Sequence, residues 1–318
     1  MNTQTTTRQA TDRSIFDEAR IYFDASVVAA DVKTVKPYQR SLTQFRQWAS
    51  DQGQDPHDFT TFARWKLHLV SQTTGSPKAI NVRLSHIRSI MRSAAEVGYI
   101  DPATAEGFRN VRNVSVKALK SRLKADARTA LSPEQVRSMC DLATEAGTFV
   151  SIRDAALLHL FASSGARIGE LVTLTQAQLK THKGEPAISI MGKNKTEPRD
   201  VTISKEAAAA VARWISIRGI DSPNIFTRTN PGQANASPDA LTEPISPVTG
   251  WNVVKQYAAA AGIDANVKPH DFRRYNITKT AQRAGMRQAQ LKAGHASIST
   301  TAGYMMDELE AGLTEGLY

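Results

Sequence analysis

Apolar side chains recur every three or four residues along the first third of the chain, which is the spacing of amphipathic helices. One series comprises Tyr38, Leu42, Phe45 and Trp48, and a second comprises Phe62, Trp65, Leu69 and Val70. A third helix is predicted to begin at Pro77, because Ser76 is a favourable N-cap and proline suits the first helical turn. These patterns predict an all-helical N-terminal domain.

The third predicted helix has two chemically different faces. Its apolar face carries Ile80, Leu84, Ile87, Met91 and Ala94. At about 100° per residue, the opposite face carries Lys78, Asn81, Ser85, Ser89 and Arg92. Short polar and basic side chains suit the major groove of DNA, where they approach the bases and phosphates closely. The alternative is an ordinary solvated face.

The composition favours a polyanionic partner. The 318 residues carry a formal net charge of +10, and the isoelectric point is about 9.7. A merely basic soluble protein would share this charge. The single cysteine, Cys140, excludes an internal disulfide framework and a cysteine-based zinc site, and its helical surroundings favour a packed core thiol. No membrane-length apolar run or secretory signal is apparent, so a cytoplasmic protein without a membrane partner is expected.

A basic segment divides the chain. Its cations, set against the single acid Asp126, are Arg112, Lys117, Lys120, Arg122 and Lys124. We interpret 111–127 as an interdomain linker lying along a DNA backbone, although a flexible basic linker without fixed contacts would look the same. The expected organisation is a flexible N-terminus at 1–12, a helical DNA-binding domain at 13–110, this linker, and a second domain at 128–318.

The second domain is predicted to combine helices with a β-hairpin. Ser132-Pro133-Glu134-Gln135 forms a capping box that opens a helix. Alternating apolar residues on both sides of 192–196 predict a hairpin with Lys193 and Lys195 at its tip. Further on, Gly285 is predicted to end a helix that begins near His270, and a short helix is predicted to follow it to Gly294.

Two arginines, two histidines and a tyrosine carry the candidate chemistry. His270 and Arg273 stand three residues apart, so a helix would place them on one face. An arginine fork suits phosphate oxygens, and imidazoles move protons. The other members are Arg167 with Glu170, His295 after Gly294, and Tyr304. In a basic chain this set favours phosphoryl transfer on nucleic acid without a metal ion or any other cofactor.

These motifs, in this order, resemble the tyrosine recombinase (phage integrase) family over roughly 128–310, with a weaker resemblance over 34–125. The shared motifs are a Gly-x-Arg-x-x-Glu turn, a hairpin lysine, a His-x-x-Arg helix, a Gly-His pair and a late tyrosine. The resemblance implies a mainly α fold: an N-terminal helical core-binding domain, and a mostly helical catalytic domain with a small antiparallel β-sheet.

The resemblance also implies a role for each catalytic residue. Tyr304 would attack the scissile phosphate, giving a 3′-phosphotyrosyl link and a free 5′-hydroxyl. Phosphate contacts would come from Arg167, Arg273 and His295, with Glu170 supporting Arg167 and His270 assisting Tyr304. A hairpin lysine would protonate the leaving oxygen; Lys195 is favoured over Lys193, because a Lys-Thr pair is common in relatives. The rival nucleophiles Tyr275 and Tyr318 do not keep the Gly-His-to-Tyr spacing.

The function implied is site-specific recombination of double-stranded DNA by serial strand exchange without metal or ATP, in integration, excision or resolution of a mobile element. The expected assembly is a homotetramer on DNA, with accessory DNA-bending proteins as further candidate partners. The tail, with Leu309, Leu313 and Leu317, would pack on a neighbouring protomer or on its own domain. Alternatives are a type IB topoisomerase, a telomere resolvase, and a catalytically inactive DNA-binding protein.

Overall fold

The computed structural model describes 32–304 except positions 73, 97, 116, 118, 120–128, 193–195, 220, 230–241 and 264–265. Several sequence predictions therefore lie outside the described residues: the flexible terminus at 1–12, the linker cations Lys120, Arg122 and Lys124, both hairpin lysines, Tyr318 and the tail leucines. The chain divides into two compact units, Met1–Asp126 and Ala127–Tyr318.

The described part of the first unit contains four helices: α1 (Val32–Asp51), α2 (Phe59–Gln72), α3 (Pro77–Glu96) and α4 (Pro102–Asn110). The predicted apolar faces meet in one core, where Phe62 stacks on Phe108 with ring centroids 5.1 Å apart. Ser76 caps α3 by accepting a hydrogen bond from the Ala79 amide at 3.3 Å. The three helices predicted from periodicity are confirmed.

The second unit is mostly helical around a central helix. Its elements in chain order are α5 (Pro133–Glu145), α6 (Phe149–Ser164), α7 (Ile168–Val172), a 3-10 turn (Gln176–Gln178), β1 (Leu179–His182), β2 (Glu185–Met191), β3 (Pro198–Thr202), α8 (Lys205–Ile217), α9 (Pro247–Ala260), α10 (Pro269–Ala293) and α11 (Ile298–Ala302). α6 is buried on nearly all sides, as expected of a helix that is apolar all round. The predicted capping box of Ser132 and Gln135 opens α5.

The three strands form an antiparallel sheet in the order β1-β2-β3. Ile188 of β2 stands opposite Val201 of β3, which confirms the predicted hairpin, and opposite Leu179 of β1. β1 was not predicted. It joins β2 through Lys183 and Gly184, whose φ angles of 51° and 82° give a two-residue turn that matches the twist of paired strands.

α10 is divided at the glycine that the sequence indicated. The chain does break helical geometry at Gly285 (φ 84°, ψ 161°), a backbone conformation that glycine adopts without strain. The helix then resumes and runs to Ala293, ending at Gly294 with φ 67°. Gly285 therefore separates two helical stretches, as predicted: one that begins near His270 and a shorter one that follows to Gly294.

Two further observations bear on other classes of protein. Within the described ranges, no helix has both the length and the apolar character of a membrane span. Cys140 is 3% exposed in the main core, and burial raises the pKa of its thiol to about 12. The predicted packed thiol is thus confirmed, and its thiolate is disfavoured at neutral pH.

Candidate active site

Arg273 lies at the centre of the candidate site and is 1% exposed. One terminal nitrogen donates to the carbonyl of Gly165 at 2.8 Å. The other donates to the carbonyl of Ala293 at 2.8 Å and lies 2.9 Å from Nε2 of His295. Because these partners come from the α6–α7 turn and the end of α10, they hold the guanidinium in one orientation before any substrate binds.

The turn after α6 requires glycine at position 165. Gly165 has φ 61°, and a Cβ there would lie 2.7 Å from Oδ1 of Asn276. The Asn276 amide donates to the carbonyls of Ala162 and Ser163 at 2.7 and 2.8 Å, which ties the end of α6 to α10. This close approach lets the Gly165 carbonyl reach Arg273 and places Arg167 just beyond the turn.

Arg167 is held by Glu170 at the start of α7. Its NH1 donates to Oε1 of Glu170 at 3.0 Å, and its backbone N–H donates to Oε2 at 2.8 Å. The Arg167 side chain is 41% exposed, whereas that of Glu170 is 8% exposed. Burial acts to raise the pKa of Glu170, but the Arg167 backbone hydrogen bond and the charges of Arg199 and Arg167 outweigh it and lower that pKa. Glu170 is therefore an ionised anchor for Arg167.

Arg199 on β3 is a further cation of the site, and no role was predicted for it. Its NH2 donates to Oε2 of Glu170 at 3.0 Å, and its Nε donates to the carbonyl of Lys292 at 3.2 Å. It packs over Gly294, where a Cβ would lie 2.9 Å from Nε. The only sequence signal was its place shortly after the hairpin tip.

His295 is a buried, neutral histidine with a defined tautomer. Since arginine only donates hydrogen bonds, Nε2 of His295 must accept from Arg273. The ring proton then lies on Nδ1, which donates to Oγ1 of Thr301 at 3.0 Å. Burial, followed by the charges of Arg273, Arg167 and Arg199, lowers the pKa of His295 to about 4.

Thr301 links this histidine to the candidate nucleophile and was not singled out from the sequence. The residue is fully buried. Its hydroxyl accepts from His295, and its carbonyl accepts from the backbone N–H of Tyr304 at 2.9 Å. One residue therefore fixes both the tautomer of His295 and the backbone of Tyr304.

Tyr304 lies among both histidines and Arg273. Its ring centroid is 5.0 Å from that of His270, 4.8 Å from that of His295, and 5.6 Å from Cζ of Arg273. The ring also packs against a small apolar cluster on α10: Ile277, Ala281, Ala289 and Ala293. Of the two lysines predicted beside it, neither lies within the described residues; the other predicted catalytic side chains are brought together here.

The electrostatics of the site favour a neutral base beside a phenol. Burial lowers the pKa of His270, and the charges of Arg274, Arg273 and Arg167 lower it further against the opposing effect of Asp271. Burial also lowers the pKa of Arg273, with Arg167 adding to the effect, while the Tyr304 phenol and Glu170 act in the opposite direction. A neutral imidazole can accept the phenolic proton, and the arginines can balance negative charge on a phosphate.

The sequence profile of the phage integrase family matches residues 129–310, more than half of the chain. The chain belongs to the phage integrase family. Similar relatives include tyrosine recombinase XerC of Alcanivorax borkumensis, 28% identical over 275 residues that span 85% of this chain and 82% of that protein. Tyrosine recombinase XerD of Xanthomonas campestris pv. campestris is 29% identical over 284 residues, spanning 86% and 82% of the two chains.

Solved structures of tyrosine recombinases share the fold. XerH site-specific recombinase bound to its palindromic difH substrate gives a TM-score of 0.63 at 15% identity, covering 87% of this chain and 77% of that one. The Tn1549 transposon integrase in complex with circular intermediate DNA gives 0.61 at 18% identity, covering 91% and 95%. The predicted family, the mainly α fold class with its small antiparallel sheet, and the enzyme class of tyrosine recombinase are confirmed.

Tyr275, the rival nucleophile among the described residues, lies outside the cluster formed by His270, His295 and Tyr304. It stands two residues after Arg273, which turns it to another side of α10. There its ring packs against the main core and lines a groove with Lys279 and Arg283. Burial raises the pKa of its phenol, which disfavours the ionised nucleophile.

The residues of the first unit that are predicted to bind DNA differ in their exposure to solvent. Lys78, Ser85, Arg92, Arg112 and Lys117 are exposed, and Ser89 is half-buried. Asn81 is not free: its amide donates to the carbonyl of Val114 at 3.0 Å and accepts from the Val114 N–H at 2.7 Å. This pairing engages both the oxygen and the nitrogen of the Asn81 amide. All ten predicted DNA contacts stay predictions, and three of them, at Lys120, Arg122 and Lys124, lie outside the described residues.

Stability of the second unit should depend on pH through His295. Its folded-state pKa of about 4 lies below the ordinary value of about 6.5, so the unfolded chain takes up the proton first as pH falls. Stability is then lost between about pH 6.5 and 4, by at most about 1.4 kcal/mol per pH unit. In urea unfolding at pH 7 and pH 5, we expect wild type to lose more stability than His295→Gln. Equal losses would contradict the neutral buried assignment.

Proposed function

We propose that this tyrosine recombinase is a site-specific DNA recombinase whose nucleophile is Tyr304. The observation that carries the proposal is the placement of the Tyr304 ring about 5 Å from the rings of His270 and His295 and 5.6 Å from the Arg273 guanidinium. A tyrosine hydroxyl has a pKa of about 10, so it needs a base and a positive field to attack phosphorus at neutral pH. Both are present beside it.

In the cleavage step, the phenolic oxygen of Tyr304 forms a bond to phosphorus as the bond from phosphorus to the 5′ oxygen breaks. The phenolic proton passes to the neutral imidazole of His270. Arg167 and Arg273 neutralise the two non-bridging oxygens, and most of the rate gain comes from holding these charges in place beforehand. Lys195, or Lys193, protonates the departing 5′ oxygen.

His295 acts with Arg273. Its Nε2 accepts from that guanidinium. When a phosphate takes the Arg273 donors, its negative charge favours a proton on Nε2, which can then donate to the phosphate. The phosphotyrosyl bond conserves the energy of the phosphodiester, so a 5′-hydroxyl from a partner DNA reseals the strand without ATP.

Double-stranded DNA is the proposed partner. The net charge of +10 supports it, and relatives with this fold have been solved on DNA sites, including XerH on difH and lambda integrase on a core site. Exposed cations of the first unit, such as Lys78, Arg92 and Arg112, are proposed to contact the backbone. Exchange between two duplexes would use a homotetramer, in integration, excision or resolution of a mobile element.

The test is recombination between two copies of the DNA site that the protein protects in a footprint. We expect supercoiled plasmids with two copies to give deletion or inversion products in EDTA and without ATP, and one-copy plasmids to give none. Relaxation of plasmids that lack the site would instead identify a topoisomerase. Binding without cleavage or exchange would identify an inactive DNA-binding protein, and either result would overturn the proposal.

A further inference from the structure

Arg199 connects three separate parts of the catalytic unit. Its side chain extends from β3 and binds the carboxylate of Glu170 in the Arg167 turn. It also donates to the carbonyl of Lys292, just before the Gly294–His295 turn. Building on the proposed function, we propose that Arg199 is a positioning residue: it holds Glu170 so that Arg167 keeps its guanidinium available for the scissile phosphate.

The sharing of Glu170 oxygens supports this role. Oε2 accepts from the Arg167 backbone N–H and from Arg199, which leaves Oε1 for the Arg167 guanidinium. Among the described residues, the Arg167 side chain forms this one hydrogen bond through NH1. Its other donors are therefore open to a substrate, and the side chain is 41% exposed.

Loss of Arg199 would change which donors bind each oxygen of Glu170. The Glu170 side chain is 8% exposed, and a nearly buried carboxylate that loses one cation is expected to form an ion pair with another. Arg167 is the neighbouring guanidinium and can form a two-pronged pair with both carboxylate oxygens. Such a pair would draw Arg167 towards the protein and use the donors that a phosphate needs.

Only an arginine side chain can contact Glu170 and the Lys292 carbonyl at the same time. Nε reaches the Lys292 carbonyl while NH2 reaches Glu170, a planar fork that the single ammonium of lysine does not reproduce. Gly294 leaves room for it, since a Cβ there would lie 2.9 to 3.0 Å from three Arg199 atoms. The Arg167 turn and the His295 turn are therefore held to the same side chain.

Arg199 also fixes the strand that follows the hairpin tip. It pairs with Ile190 in the β2–β3 register and follows Lys195 by four positions. Arg199 would thus act on the phosphate through Arg167 without touching it.

The test is single-turnover cleavage of a nicked suicide duplex by Arg199→Ala, Arg199→Lys and Glu170→Gln. We expect Arg199→Ala to slow cleavage at least about tenfold, with DNA affinity within about threefold of wild type, because phosphate contacts elsewhere supply binding. Arg199→Lys should restore only part of the rate. Arg213→Ala on α8, which removes an exposed arginine, is the matched control and should cleave like wild type.

A double-mutant cycle separates positioning through Glu170 from a structural effect. If Arg199 acts through Glu170, the double variant should cleave no more slowly than Glu170→Gln alone. Full activity of Arg199→Lys, or additive losses in the double variant, would overturn the proposal. A structural role would lower the melting temperature without this coupling.

A second readout does not depend on cleavage. The Arg199 charge contributes to the low pKa of His295, so the His295 ring should titrate at higher pH in Arg199→Ala than in Arg213→Ala when followed by NMR. An unchanged titration would place Arg199 away from the site and contradict the proposal. Failure of wild type to form any adduct would contradict the proposed function instead.

Discussion

Tyr304→Phe should abolish the covalent protein–DNA adduct while leaving the fold and the DNA affinity unchanged. The substitution removes only the hydroxyl, and the ring keeps its contacts with His270, His295 and the apolar cluster on α10. A nicked suicide duplex traps the adduct, because the short cleaved strand diffuses away. Wild type should give a band that survives boiling in detergent, and Tyr304→Phe should give none.

Tyr275→Phe is the matched control for this experiment. It removes the hydroxyl of a tyrosine on α10 whose ring packs on the main core and not beside the two histidines. It should form adduct like wild type. An equal adduct yield from Tyr304→Phe and wild type would show that Tyr304 is not the nucleophile.

Arg273→Lys should lower the cleavage rate by at least about 10³, because each preorganised donor to the transition state contributes about 10²–10³. A lysine keeps the positive charge, but its one ammonium does not replace a fork that binds the Gly165 carbonyl, the Ala293 carbonyl and His295. DNA affinity should stay within about threefold of wild type, because most of it comes from phosphate contacts elsewhere. Rapid-quench cleavage and a binding isotherm measure the two effects separately.

Lysine is the informative substitution at this buried position. Alanine would leave two buried carbonyls without donors, at about 1–3 kcal/mol each, and could unfold the unit. Arg167→Ala provides a second test on a side chain that is 41% exposed, and it should slow cleavage by about 10²–10³ without loss of stability. Near wild-type cleavage by either variant would contradict the proposed contacts of Arg167 and Arg273 with the scissile phosphate.

Local signals in the sequence were enough to predict much of the fold. The gaps of three and four at Phe62, Trp65 and Leu69 correspond to residues that the structure buries. Ser132 and Gln135 form the capping box that their spacing indicates. These features depend on neighbours within a turn or two, so periodicity and propensity are sufficient to find them. The candidate site was found because ordered motifs resembled a family.

Contacts between distant segments were not predictable in the same way. Arg199 meets Glu170 across 29 positions and the Lys292 carbonyl across 93, and no local pattern indicates either contact. The polar face of α3 provides a second example. Asn81 fits the predicted DNA-facing stripe, yet its amide binds the backbone of Val114, 33 positions away. Helical geometry predicts on which side of a helix a residue lies, but it does not predict which distant segment packs against that side.

The central claim is that the Tyr304 oxygen becomes bonded to a DNA phosphorus. The most direct measurement is digestion of the trapped adduct followed by mass spectrometry of the peptide that carries the nucleotide. The account predicts one linked peptide, containing Tyr304 joined to a 3′-phosphate. A link at Tyr275 or at any other residue, or a link to a 5′-phosphate, would contradict it.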